Sequence, residues 1–333
     1  MKKLLLIVLV VGCSALISPS QGCRNSEIFS ATVDGKDGFI NRDGKVVLPI
    51  IYSELGEYSE GLISFQDNKK WGYIDKKGKV TIKPQFDWAS SFSEGLARVH
   101  LDYKTGFIDR TGKVVIEPKF DRDGTHDFAE GLALFIRDGK FGFFNRKGII
   151  TVTPKYDWAN DFSNGLASVR LGDKWGFIDK NGIEQIPLEF AEAGPFYEGL
   201  APVEKDGRHF FINTKGVVAV QPEADYSDIF FGGIFVDGWV RWKLHNNVWG
   251  VMDRKGKFVI QPRFESLWDF SDGFARFQEG EKYGYIDKTG AIQIPAKFDF
   301  AHDFCGGLAY VSIGDKHGYV TKAGEFVWEN KYN

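Results

Sequence analysis

Lys70-Trp71-Gly72-Tyr73-Ile74-Asp75-Lys76-Lys77-Gly78-Lys79 is the stretch whose reading decides the fold. A glycine between two aromatics opens a short apolar run, and Asp and Gly then bracket a tight reversal. A short carboxylate can accept backbone hydrogen bonds, and Gly tolerates the positive φ of a hairpin turn. The same run recurs along the chain around Gly38, Gly106, Gly142, Gly176, Gly250, Gly284 and Gly318, with Phe210 standing at the Gly position of one further unit. The steps from 38 to 318 are 34, 34, 36, 34, 34, 40, 34 and 34. A second marker is independent of the first. An aromatic precedes another Gly by three residues in Tyr58/Gly61, Phe92/Gly95, Phe128/Gly131, Phe162/Gly165, Phe196/Gly199, Phe235/Gly238, Phe270/Gly273 and Phe304/Gly307. Two markers in one period define a repeat array, so length does not translate into two or three average domains.

Outward from the hairpin, each unit reads as three short strands. Leu96–Val99 is entered through Glu94-Gly95, Gly106–Asp109 follows, and Val114–Ile116 leaves the Asp109–Lys113 turn. An aromatic stands 14 residues after the marker Gly at Tyr52, Phe86, Phe120, Tyr156, Phe190, Phe264 and Phe298, and anchors the return to the next unit. A Gly inside a strand predicts close backbone approach, beneath a neighbouring ring. One such small sheet is marginal alone, so stacked neighbours must bury its apolar face, with Trp71, Trp175 and Trp249 between them. The predicted fold class is all-β: about nine tandem three-stranded repeats of 34 residues forming an open superhelical β-array, with a β-propeller as the alternative. The open array is preferred because roughly 4–8 blades are usual in a propeller, a 34-residue unit is short for four strands, and no strand is visibly exchanged between the termini.

This pattern resembles the bacterial WG, or KWG, repeat family, named for the Lys-Trp-Gly found at Lys70-Trp71-Gly72 and Lys174-Trp175-Gly176. The likeness extends from about Glu27 to Trp328, and the wider Gly-Phe/Tyr-Ile-Asp context carries it where Trp is replaced. It implies a β-repeat fold and frequent export, and it assigns no activity, cofactor or site residue.

The N-terminus reads as a targeting segment. Lys2-Lys3 precedes the apolar run Leu4–Val11, which is too short for the roughly 20 residues of a membrane-spanning helix. The expected division is a signal peptide over 1–22 and a repeat domain over 23–333, with no transmembrane span in the mature chain. Cys13 and Cys23 are the lipidation candidates, each following a Gly; cleavage near Ser20 or Gly22 without lipid is the rival. Cys305 alone lies in the body of the chain, which rules out an intrachain disulfide framework. The formal net charge of −3, with basic residues scattered among turns, argues against nucleic-acid binding.

No constellation for catalysis stands out. Asp75, Asp109, Asp179, Asp253 and Asp287 share one repeat position, and Glu60, Glu94, Glu130 and Glu198 share another, so the unit explains them. None of the six His residues has a close metal-ligand spacing, and neither a metal nor a cofactor is expected. The period breaks between Pro222 and Asn247, where an aromatic, Gly-containing insertion enlarges one unit. Tyr226, Phe230, Phe231, Trp239, Trp242 and His245 are therefore the candidate ligand-binding residues; the competing reading makes Trp239 and Trp242 core residues that compensate for Phe210. The expected function is an exported, non-catalytic scaffold binding a protein partner at the cell envelope or surface. Carbohydrate or cell-wall binding is second and a hydrolase third. Exposed Trp-position rings would favour the glycan, and rings buried between units the protein partner.

Overall fold

The computed structural model describes residues 27–122, 124–222, 233–244 and 247–331. It is a β-propeller of nine blades, each a small antiparallel sheet built from one contiguous stretch of chain. Blade 3 is representative: Trp88–Ala89, Leu96–Leu101, Lys104–Asp109 and Val114–Asp121 lie side by side in chain order. Among the described residues, six blades have four strands and blades 1, 4 and 7 have three. The extra strand is often only two residues, as at Trp88–Ala89, Trp158–Ala159, Glu192–Ala193 and Phe300–Ala301. So brief an element leaves no alternation to read, which is why three strands per unit were expected. It is also how a 34-residue repeat accommodates four.

The marker glycines are where two strands nearly touch. A Cβ on Gly72 would lie 2.5 Å from the Ile82 carbonyl oxygen, and one on Gly142 would lie 2.6 Å from that of Val152. The close approach is therefore to the backbone of the last strand of the same blade, at a bulge, rather than to a neighbouring ring. Blade 6 is the exception that explains itself. With Phe210 in the Gly position, the last strand shrinks to Val218–Val220 and its pairing ends at Phe211↔Val220. The chain then leaves the sheet just before the insertion begins.

Between blades lie nine apolar clusters, one for each junction. Blades 3 and 4 meet through Leu96, Phe107, Ile116 and Phe120 on one side and Phe128, Ala133, Phe135 and Phe144 on the other. The ninth junction joins the chain ends: Phe29, Ala31 and Ile40 of blade 1 pack with Leu308 and Tyr319 of blade 9. Tyr319 Oη donates to the Ser30 carbonyl at 2.9 Å, and Asn330 Nδ2 to that of Thr32 at 3.2 Å. Of the two higher-order arrangements, the preferred open array thus gives way to the closed ring. The physical reason is that both end units have apolar faces to bury, and nine blades bring those faces together. Closure needs no exchanged strand, because packing and these side-chain hydrogen bonds seal the seam.

Candidate functional site

Eight hairpin turns are held by their own carboxylate or amide, and that of blade 9 by the Thr321 hydroxyl, which accepts from the Ala323 amide at 3.2 Å. Asp109 Oδ1 accepts from the backbone N–H groups of Thr111 at 2.9 Å and Lys113 at 3.1 Å. Asn145 serves blade 4 in the same way, accepting from Lys147 and Ile149 at 3.0 and 3.2 Å. The Thr111 hydroxyl holds Asp109, the Lys79 amide Asp75 and the Thr289 hydroxyl Asp287 below the usual carboxylate range. Because the folded value lies below the unfolded one, this stabilisation is complete above the unfolded value of about 3.8 and disappears as pH falls through the folded value. Replacing all three as Asp75→Asn, Asp109→Asn and Asp287→Asn keeps the acceptor, so the urea midpoint at about pH 7 should hardly move. The loss of stability between about pH 5 and pH 2.5 should be smaller than in the natural chain. An equal loss would mean that these turns do not titrate with folding.

The second recurring acid links neighbouring blades. Glu60 accepts from the Gly95 amide, Glu94 from that of Gly131, Glu130 from that of Gly165 and Glu198 from that of Gly238, at 2.9 to 3.1 Å. Glu198 also binds Arg254 at 2.8 Å and Glu130 binds Lys180 at 3.3 Å, both cations belonging to the next blade. Where Asn164 replaces the acid, its oxygen still takes the Gly199 amide. The cation position of the facing blade is then the neutral Thr214. These acids are engaged in assembly. Among the described residues, no group of three or more His, Cys, Asp or Glu is placed to hold a metal ion.

The Trp-position rings are half-buried at the junctions. Trp71, Trp175 and Trp249 each pack against the cluster between their own blade and the next. Of the candidate ligand residues, Tyr226, Phe230, Phe231 and His245 lie outside the described residues, as do Cys13 and Cys23. Trp242 is 3% exposed in the cluster of blades 6 and 7, with its ring 6.2 Å from that of Phe211. Trp239, half-buried, meets Phe270 of blade 8 edge-on at 5.4 Å. The two tryptophans thus serve different junctions and do not form one surface.

Two features escaped the sequence reading. One is a set of charged spokes across junctions: Arg98 to Asp127 at 2.7 Å, Arg241 to Asp269 at 2.5 Å and Arg276 to Asp303 at 3.5 Å. Arg98 and Arg241 also donate to the Thr125 and Leu267 carbonyls of the next blade. The signal was present as an Asp immediately before the marker aromatic at 127, 161, 269 and 303. The other is a row of exposed β-branched residues on the last strand of blades 1 to 8, or just before it in blade 5: Val46, Val80, Val115, Ile150, Ile183, Val218, Val259 and Ile292. A buried aliphatic such as Leu48, Ile82 or Ile260 follows each of them within one to three residues. In sequence such a residue looks like any other strand residue, and only the sheet edge reveals its exposure.

No helix among the described residues is long and apolar enough to cross a membrane. No curated protein matches the chain. Among solved structures, the crystal structure of a eukaryotic initiation factor is similar over 92% of this chain and 96% of its own, at 10% identity and a TM-score of 0.58. That likeness concerns the fold alone. A computationally designed protein, Ika8, aligns over 80% of this chain and 92% of its own, with 14% identity and a TM-score of 0.47. BamB from Moraxella catarrhalis aligns over 80% of this chain and 89% of its own, with 10% identity and a TM-score of 0.44. The model of the WG containing repeat matches residues 38–71, 71–104, 106–141, 141–175, 175–208, 249–283 and 283–316. The gap from 209 to 248 coincides with the shortened strand of blade 6 and the insertion after it. With matches over well over half its length, and one sheet for each repeat, the chain belongs to the WG repeat family.

Proposed function

We propose that the chain is an exported, non-catalytic scaffold that holds a protein partner at the cell envelope. The observation that carries this reading is the row of exposed aliphatics on the open edge strands. Single exposed apolar residues are ordinary, but here one or more recur at nearly the same place in most blades, with Ile183 58% exposed. An edge strand also presents unpaired backbone groups that an extended segment of another protein can use. The recurring acids are meanwhile committed to turns and junctions, and the Trp-position rings pack between units, which favours a protein partner over a glycan.

The test is cross-linked capture from an envelope extract, comparing the natural chain with the triple variant Ile183→Glu, Val218→Glu and Ile292→Glu. These positions are exposed, so the variant should fold normally while the captured species disappears. Equal capture by both chains, or none by either, would overturn the reading. Export rests on Lys2-Lys3 and the run Leu4–Val11. Fractionation with intact-mass measurement should give a shortened chain in the envelope or medium, and a diacylglycerol adduct would identify Cys13 or Cys23 as an anchor. A full-length cytoplasmic product beginning at Met1 would end the export half of the proposal.

A further inference from the structure

Charged spokes seal the junctions of blades 3 and 4, 7 and 8, and 8 and 9, and the junctions of blades 5, 6 and 7 are among those without one. Backbone hydrogen bonds align the positions: the amides of Ser90, Asn160, Gly194 and His302 donate to the carbonyls of Arg98, Ser168, Pro202 and Tyr310. The position of Arg98 is thus Ser168 in blade 5 and Pro202 in blade 6. That of Asp127 is Pro195 in blade 6 and Ile234 in blade 7. Where blades 3 and 4 meet, an arginine crosses the junction and fills it. Where blades 5, 6 and 7 meet, Gly194, Pro195, Pro202 and Ile234 instead leave a cavity of about 620 Å³. That lies within the range of about 300–1,000 Å³ found for small-molecule sites.

The remaining lining supplies polar groups and one indole. Arg170, Asp173, Asn160 and Glu192 join Trp175 around the cavity. Asn160 is fixed by its Nδ2 donating to Ser168 Oγ at 2.8 Å. The Arg170 guanidinium stands over the Trp175 ring, 5.9 Å from its centroid, and its buried Nε has no protein acceptor. A buried donor without an acceptor is costly, and a small shift of the Arg170 side chain toward a ligand oxygen would relieve that cost.

Charge narrows the ligand class. One arginine against two carboxylates gives the lining a net negative charge, which opposes an anion. The cationic guanidinium already occupies a face of the indole, where a ligand cation would otherwise sit. A neutral, hydroxyl-rich ligand satisfies both conditions, because each hydroxyl can donate to the carboxylates and accept from the guanidinium without adding charge. We infer that the cavity where blades 5, 6 and 7 meet, bounded by Arg170, Trp175, Glu192, Pro202 and Ile234, is a binding site for a neutral saccharide. This goes beyond the partner-binding reading and does not depend on it.

The repeat supplies its own blocking variant. Pro202→Arg with Ile234→Asp recreates the spoke of Arg98 and Asp127 across the junction of blades 6 and 7, and so fills the cavity. Arg170→Gln removes the buried donor in a separate chain. Saturation-transfer NMR and calorimetry would use neutral gluco-, manno- and chito-oligosaccharides, with a sialylated and an aminated sugar as charged controls. The natural chain should bind at least one neutral oligosaccharide and neither control, and both variants should bind it at least tenfold more weakly. No neutral saccharide bound, a preference for a charged control, or affinity unchanged in the folded variants would overturn the assignment. Should the double variant fail to fold, Arg170→Gln alone decides, since its side chain is not part of an apolar cluster.

Discussion

Deleting the ninth blade, residues 300–333, should abolish the cooperative urea transition of the remaining chain. In an open stack, losing a terminal unit removes one interface and leaves the rest nearly as stable. In the closed ring the same cut removes two. Tyr285, Ile294 and Phe298 of blade 8 lose Ala301, Phe304, Val311 and Val320, while Phe29 and Ile40 of blade 1 lose Leu308 and Tyr319. Burying a large apolar side chain contributes about 1.5–3 kcal/mol. Five left uncovered amount to roughly 10 kcal/mol, comparable to the whole net stability of a typical protein. The faces lie at opposite ends of the chain, so they cannot cover one another without distorting every other junction. A broad, low-amplitude melt with dye-accessible apolar surface is the expected readout. A sharp transition near the midpoint of the full chain would show that the seam of Phe29, Ala31 and Tyr319 contributes little.

The repeat itself was legible because its markers are chemically constrained. Asp109 must cap a turn, Gly106 must admit a neighbouring carbonyl, and Phe120 must enter a junction, so none of the three can drift. Closure was not legible, because an apolar face on Phe29 or Tyr319 looks the same whether it meets the next unit or the first. The seam also replaces a feature of the interior. Tyr73 and Tyr285 each donate to a carbonyl of the next blade's first-strand segment, at Ser90 and His302, whereas Tyr319 donates to Ser30 on the strand beyond. Only the three-dimensional arrangement shows that these are one contact in two settings. The candidate site illustrates the opposite problem. The insertion near Pro222 drew attention because it breaks the period. The cavity where blades 5, 6 and 7 meet keeps the period and changes only which residues occupy it. A Pro for an Arg is invisible until the Arg is known to be the plug.

Gly142→Val should be among the most damaging single substitutions in the chain, and for a steric reason distinct from that of the turn glycines. Gly95 has φ of +76°, so its requirement is conformational. Gly142 lies in a regular strand, and what matters is the space above it. A Cβ there would stand 2.6 Å from the Val152 carbonyl oxygen and 2.7 Å from the Pro154 nitrogen, both backbone atoms that cannot rotate away. The last strand of blade 4 must therefore separate from the second, Lys140–Asn145, beyond Phe143↔Val152. Blade 6 displays the outcome, since pairing there ends at Val220 opposite Phe211 once Phe210 replaces the Gly. In blade 4 the separation would also withdraw Tyr156, which is 3% exposed and pairs with Phe141 in the cluster shared with blade 5. Backbone overpacking costs about 1–3 kcal/mol, and partial loss of a buried aromatic adds about as much again. A destabilisation of about 4 kcal/mol is expected, seen as a lowered urea midpoint. Hydrogen exchange should localise it, with faster exchange at residues 152–156 and in blade 5 while blade 9 stays protected. A midpoint within error of the natural chain would mean that the last strand can shift without cost, and the close approach would then not explain why Gly holds this position in eight of nine units.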